Sequence, residues 1–216
     1  MPKTVEPQLK NSGAQIKAVA IDMYAAYIQA VREHLPEATI VFDHFHIIKL
    51  YNDKLTELRR HLYNQTSSLR KAEILKGTRW LLLKNPDNLD ESKNERTRLE
   101  RALQINQPLA TAYYLKEDLR QIWNQDNKEQ ASQFLEQWIK DARQSGITIL
   151  QKISNTISAF RSGILAWYDY PISTGPLEGT NNKIKTMQRK SYGFRDKEFF
   201  KLKIFAIHQA KYALIG

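Results

Sequence analysis

Two short apolar runs separated by one helix-length segment constrain this chain more than any other feature. Ile16 to Ile21 (Ile-Lys-Ala-Val-Ala-Ile) is mostly apolar and ends at Asp22, the pattern of a buried strand with a carboxylate at its C-terminal end. Tyr24 to His34 follows with helical spacing: Tyr27, Ile28, Val31 and Leu35 fall on one side, and Pro36 closes the segment. A second run, Thr39 to Phe42, reads as another strand. Strand, helix and strand in this order predict two parallel strands of one sheet joined by a right-handed crossover. The strand end that carries Asp22 is where open α/β sheets place their ligands.

From about Ile47 to Phe160 the pattern changes to long, charged, amphipathic segments rich in Leu, Lys, Arg and Glu, which predict helix throughout. Breaks are expected near Asn85-Pro86-Asp87 and Asn106-Gln107-Pro108. Asn88 to Glu95 reads as a polar turn entering the helix that holds Leu99 and Leu103, and Asp126-Asn127-Lys128 separates the next two helices. Asp169 to Pro176 is a loop by its Pro and Gly content, with a helix expected to open near Leu177 or Glu178.

Hydrophobic residues make up 42% of the chain and aromatics 10%, enough apolar surface to offset the entropy of ordering it. The formal charge of +10 and a pI near 9.6 point to a polyanionic partner, although basic proteins with merely solvated faces are equally common. The most basic stretch runs from Asn182 to Tyr212, where Lys183, Lys185, Arg189, Lys190, Arg195, Lys197, Lys201, Lys203 and Lys211 face only Asp196 and Glu198. There is no cysteine, so disulfides, thiolate metal sites and cysteine nucleophiles are excluded. No apolar stretch approaches the ~20 residues that span a bilayer. The start, Met1 to Pro7, lacks a signal peptide's apolar region, so a cytoplasmic location is expected.

Phosphodiester chemistry with two Mg²⁺ ions needs carboxylates that hold the metals close enough to stabilise both the attacking and the leaving oxygen. Asp22 at a strand end and Glu178 at a helix start are the best candidates. Each has a plain structural alternative. An Asp after a strand is often a turn or cap residue, and an acid in a first helical turn favours the macrodipole.

The phrases around these residues raise the functional reading of both. Val19-Ala20-Ile21-Asp22-Met23-Tyr24, Ile40 to Lys49 (Ile-Val-Phe-Asp-His-Phe-His-Ile-Ile-Lys) and Thr174 to Lys185 (Thr-Gly-Pro-Leu-Glu-Gly-Thr-Asn-Asn-Lys-Ile-Lys) closely resemble transposases of the ISL-three insertion-sequence family. Lys76 to Pro86 (Lys-Gly-Thr-Arg-Trp-Leu-Leu-Leu-Lys-Asn-Pro) and Tyr192-Gly193-Phe194-Arg195 are similar to it as well, and the resemblance runs from about Ile16 to the C-terminus. Five phrases in order are far more specific than one short motif.

The resemblance implies a ribonuclease H-like sheet with an α-helical insertion and an Asp-Asp-Glu triad. Asp22 matches the second Asp and Glu178 the Glu. The first Asp would lie on an opening strand before Ile16, where the only acid is Glu6 in a Pro-flanked polar stretch. The family's zinc-binding element and helix-turn-helix are not found in this sequence either. The fold class expected is therefore α/β and mostly helical: an incomplete ribonuclease H-like fold with two retained parallel strands and a large α-helical insertion. The division expected is a polar lead-in over 1–15, a partial core over 16–50, an all-α insertion over 51–165, and a C-terminal part over 166–216. That last part would carry the catalytic Glu helix and basic helices returning to the core. The function implied is that of a truncated DNA transposase, hydrolysing phosphodiesters and transferring strands with Mg²⁺, or Mn²⁺ in its place, only when complete.

Asp43 and His46 resemble the Asp-x-x-His element of related transposases. They fit either of two readings: His46 orienting a phosphate or nucleotide with Asp43 fixing its tautomer, or a helix cap beside a satisfied imidazole. Asn181, Asn182, Lys183, Lys185, Arg189 and Arg195 are the residues expected to contact DNA, at element ends and target. Trp80, Trp123, Trp138 and Trp167 could include a base-stacking residue, but aromatics at helical spacing more often belong to a core. The outer edge of the strand ending at Asp22 is expected to be unpaired and to favour self-association. The alternatives to a nucleoid-associated transposase are a catalytically inactive DNA-binding remnant and a helical interaction protein.

Overall fold

The computed structural model describes residues 15–209, apart from the side chains of residues 70, 74, 208 and 209. The lead-in expected over 1–15, with Glu6, lies outside the described residues except for position 15, and so does Lys211. The chain divides into two compact units, one reaching Ile172 and the other beginning at Ser173.

The first unit opens with β1 (Ala18–Ile21), α1 (Ala25–His34) and β2 (Thr39–Phe42), the order the sequence predicts. The strands pair in parallel, Ala18 opposite Thr39 and Ile21 opposite Phe42. The Thr39 N–H donates to the Lys17 carbonyl at 2.9 Å and the Asp43 N–H to the Ile21 carbonyl at 3.2 Å, so the ladder continues past both strand ends. Val41 and Phe42 are buried, whereas all of β1 is only half-buried. The buried strand expected over Ile16 to Ile21 is thus shorter and more open. Parallel strands are buried when both faces and both neighbours are present, and among the described residues β1 has β2 as its one strand neighbour.

Helices account for the rest of this unit: α2 (His44–Gln65), α3 (Leu69–Gly77), α4 (Arg79–Leu83), α5 (Glu95–Ile105), α6 (Gln107–Arg120), α7 (Lys128–Gln144), α8 (Thr148–Ala159) and α9 (Arg161–Leu165). The helix expected to begin near Ile47 opens at His44, because Asp43 Oδ1 accepts from the Phe45 N–H at 2.8 Å and caps it. Nor is the stretch helical throughout. Residues 66–68 separate α2 from α3, Thr78 separates α3 from α4, and two 3-10 turns, Pro86–Asn88 and Glu91–Lys93, lead into α5. Two of the expected breaks become caps, with Asn106 accepting from the Leu109 N–H at 3.0 Å and Asn127 from the Gln130 N–H at 2.9 Å.

One core cluster runs from Ile28 and Phe42 through Tyr51, Leu109 and Leu135 to Ile164 and Leu165. Two aromatic side chains bury their rings in it and satisfy their polar tips on α6. The Tyr51 hydroxyl donates to the Ala112 carbonyl at 2.7 Å, and Trp138 Nε1 donates to the Leu115 carbonyl at 2.7 Å. Lys116 is fully buried, its Nζ donating to the Leu82 carbonyl at 2.6 Å and lying 2.6 Å from a Glu117 oxygen. It thereby serves a carbonyl in the last turn of α4, where a helix leaves its carbonyls without intrahelical partners. Burial lowers the Lys116 pKa, and Glu117 opposes that shift.

The second unit contains α10 (Gly175–Lys190) and α11 (Lys197–Gln209). α10 opens at Gly175 rather than near Leu177 or Glu178, with Pro176 in its first turn, where a missing N–H costs nothing. It ends on two residues of positive φ, Tyr192 (50°) and Gly193 (97°). The Gly193 N–H donates to the Gln188 carbonyl at 2.9 Å, which closes the last turn. Phe194 then stacks on Phe200 of α11, ring centroids 4.9 Å apart. Among the described residues no helix is long and apolar enough to cross a membrane.

Candidate functional site

Because Ile21 pairs with Phe42, the next residue of each strand is an aspartate, and Asp22 and Asp43 leave the sheet side by side at its C-terminal end. Both carboxylates make the same local contact. Asp22 Oδ1 accepts from the Tyr24 N–H at 3.0 Å, as Asp43 Oδ1 does from Phe45. Their surroundings differ. Asp43 is 2% exposed and caps α2, whereas Asp22 is half-buried at the mouth of the sheet. Asp43 thus forms the helix cap that one of its two readings requires. His46 lies in the first turn of the same helix, its N–H donating to the Asp43 carbonyl at 3.1 Å and its ring meeting Phe45 edge-on at 5.6 Å. Asp43 Oδ1 also lies 4.0 Å from His44 Nδ1. Tyr24, Tyr27 and Phe45 are exposed at this end of the sheet.

In the second unit Glu178 stands in the first turn of α10, where the helix dipole favours a negative charge. The Thr174 hydroxyl donates to Glu178 Oε1 at 3.0 Å, and the Glu178 N–H donates to the Thr174 carbonyl at 2.9 Å. Sequence reasoning missed Thr174, although its place four residues before the acid is the spacing that lets the two meet. Asn181, Asn182, Lys185 and Arg189 follow Glu178 at three, four, seven and eleven residues, so one helix face carries them all, and all four are exposed. Lys183 is exposed on a different face, and Arg195 is exposed beyond the helix, just after the left-handed pair Tyr192 and Gly193.

The donors at Asp22 and Glu178 are carboxylate oxygens, the hard ligands that Mg²⁺ and Mn²⁺ prefer and that need only a few protein contacts, with waters completing the shell. Among the described residues no three His, Asp or Glu side chains gather closely enough to hold an ion. Two of the tryptophans also depart from a common fate: Trp138 is core, while Trp80 is 65% exposed.

The family model of the ISL-three transposases, described simply as "Transposase", matches residues 3–204. The chain belongs to this family. It is 42% identical over 202 residues to the transposase for insertion sequence element IS1001 of Bordetella parapertussis, a match that covers 92% of this chain and 49% of that protein. It is 29% identical over 204 residues to the transposase for insertion sequence element IS1557 of Mycobacterium tuberculosis, covering 84% of this chain and 45% of the relative. This ISL-three chain thus spans about half the length of the curated relatives it matches. No solved structure matches it. The family match takes in both strand-end aspartates and the whole of α10, so every candidate metal-binding and DNA-contacting residue lies inside the shared region.

Proposed function

We propose that this chain supplies catalytic carboxylates and DNA contacts to a DNA transposase that cuts and joins phosphodiester bonds with Mg²⁺, on a ribonuclease H-like framework of which β1, α1 and β2 form part. The observation that carries the reading is the contrast at the sheet end. Of two neighbouring aspartates in equivalent turns, one is buried as a cap and the other is half-buried at the sheet end where open sheets bind ligands. Asp22 and Glu178 are the residues that would hold the metal, and bound there it would activate the attacking oxygen and neutralise charge on the leaving one. The Tyr24 N–H and the Thr174 hydroxyl orient the two carboxylates. Asn181, Asn182, Lys183, Lys185, Arg189 and Arg195 would hold the phosphates of element ends and target, and His46 a flanking phosphate.

The reaction in this reading is transesterification without a covalent protein intermediate. Water attacks a phosphorus at the element end and the 3′ oxygen leaves; that 3′ hydroxyl then attacks a target phosphorus and displaces another 3′ oxygen. In this reading a further strand, from another copy or another protein, pairs along the outer edge of β1. The test is Mn²⁺ binding followed by electron paramagnetic resonance on the chain and on Asp22→Asn and Glu178→Gln. The reading expects each substitution to weaken Mn²⁺ binding while circular dichroism stays unchanged. Equal Mn²⁺ affinity in all three proteins would overturn it.

A further inference from the structure

Lys76 to Pro86 has no part in the proposed chemistry, yet it presents an exposed indole. It spans the end of α3, the break at Thr78 and all of α4. In α4, Leu81 and Leu82 turn inward while Trp80 remains 65% exposed. An indole normally buries more of its large apolar area than this, so its exposure calls for a partner. The Arg79 guanidinium lies over the Trp80 ring, 4.5 Å from its centroid.

This turn is held firmly. Arg59 Nη1 donates to the Leu75 carbonyl at 2.9 Å, the buried Thr78 hydroxyl donates to the same carbonyl at 3.1 Å, and Arg98 Nη2 donates to the Gly77 carbonyl at 3.2 Å. At the other end of α4, Lys116 binds the Leu82 carbonyl. Four side chains from outside or beside α4 thus fix the backbone that presents the indole, and a stacking platform needs that rigidity.

The surroundings are cationic. Arg59 is held below its ordinary pKa first by burial and then by the guanidinium groups of Arg79 and Arg60, which places three like charges within electrostatic reach. Arg98 and Arg101 line an open depression of about 290 Å³ with Gly77, Thr78 and Glu73. Among the described residues, Arg60, Arg79, Arg98 and Arg101 take no salt bridge. Such a gathering of guanidinium groups with a single acid disfavours the free protein and is relieved by a polyanion. An aromatic face beside arginines is the chemistry that binds a base plane and its phosphates.

We infer that the turn from Gly77 to Trp80 is a second DNA-contacting site, in which the Trp80 indole stacks on an unpaired base and Arg79, Arg98 and Arg101 hold the flanking phosphates. A base inside a duplex hides its faces, so the site selects DNA that is single-stranded or opened. The inference rests on the proposed action on DNA.

The experiment measures fluorescence anisotropy of a labelled blunt duplex and of the same duplex with a single-stranded 3′ tail. The proteins are the chain itself, Trp80→Ala, Trp80→Phe and the double variant Lys185→Ala/Arg189→Ala. Trp80→Ala is expected to weaken binding of the tailed DNA about tenfold and of the blunt duplex less than twofold, with Trp80→Phe close to the unsubstituted chain. Trp80 is exposed, so thermal melting of these variants should not change. If Trp80→Ala binds tailed DNA as well as the unsubstituted chain while the double variant binds both DNAs more weakly, the stacking site is wrong and the DNA reading stands. If the unsubstituted chain binds neither DNA at low salt, both fall together.

Discussion

Gly163 of α9 lies so close to Phe42 of β2 that a Cβ added there would sit 2.4 Å from Phe42 Cδ2 and 3.2 Å from the Ile40 carbonyl oxygen. No real Cβ comes that near an aromatic carbon, so the absence of a side chain at 163 is what lets α9 cover the sheet. Phe160, one turn earlier, completes the contact edge-on to Phe42 at 4.9 Å. The Phe42 ring is buried and held edge-on by Phe160, so it cannot swing away cheaply. Gly163→Ala is therefore expected to cost about 1–3 kcal/mol, the usual penalty for overpacking a filled core. Urea unfolding followed by circular dichroism checks it. An unchanged midpoint would mean that the sheet and α9 are further apart than described.

Asp22 and Asp43 should separate cleanly under substitution. Asp43→Ala removes a buried cap from a 22-residue helix and is expected to cost about 0.5–2 kcal/mol, most of which Asp43→Ser restores. Asp22→Asn keeps an oxygen for the Tyr24 N–H and should leave stability nearly unchanged. Parallel denaturant titrations of the three variants test the contrast, and equal losses at the two positions would contradict it.

Alkaline pH probes the core through Tyr51. Burial first, and the charge of Asp118 second, raise its pKa well above the ordinary value of 10.0, and burial raises that of Tyr113 to about 12. A phenol whose folded pKa exceeds the unfolded one stabilises the fold fully below pH 10 and loses that contribution as pH climbs toward the folded value. Lys116 acts in the opposite direction over the window below 10.5, since its lowered pKa makes the folded state shed a proton first. Burial raises the Tyr168 pKa as well, and three raised phenols against one lowered ammonium predict a net loss of stability above pH 10. Tyr51→Phe should lose about 0.5–1.5 kcal/mol at pH 7, where its hydroxyl bonds Ala112, and show a shallower decline from pH 10 to 12. A slope equal to that of the unsubstituted chain would place Tyr51 outside the titration.

The strand–helix–strand opening and the breaks at Asn106 and Asn127 were legible because each rests on local chemistry: apolar runs of strand length and side-chain oxygens that cap the helix they precede. The two aspartates show where local signals run out. Both follow a strand, both precede a helix, and both accept an N–H two residues on. What distinguishes them is the tertiary cover that buries one and leaves the other half-open. The break at Thr78 and the exposure of Trp80 are equally tertiary. They depend on Arg59 and Arg98 reaching the Leu75 and Gly77 carbonyls from 16 and 21 residues away. The positions of Asn181, Asn182, Lys185 and Arg189 on one face could be read from spacing alone once α10 was assumed.

That shared face makes the salt dependence of DNA binding informative. Each Lys or Arg that neutralises a phosphate releases about one counterion, so the slope of log affinity against log salt counts the contacts. Lys185 and Arg189 extend the Glu178 face of α10, while Lys183 points elsewhere. If phosphates track the Glu178 face, Lys185→Ala and Arg189→Ala should each lower the slope by about 1, and the double variant by about 2. Lys183→Ala should then change it less. These side chains are exposed, so melting temperatures should hold constant across the series. A slope that is flat in the unsubstituted chain, or equal for all variants, would remove α10 from the DNA path.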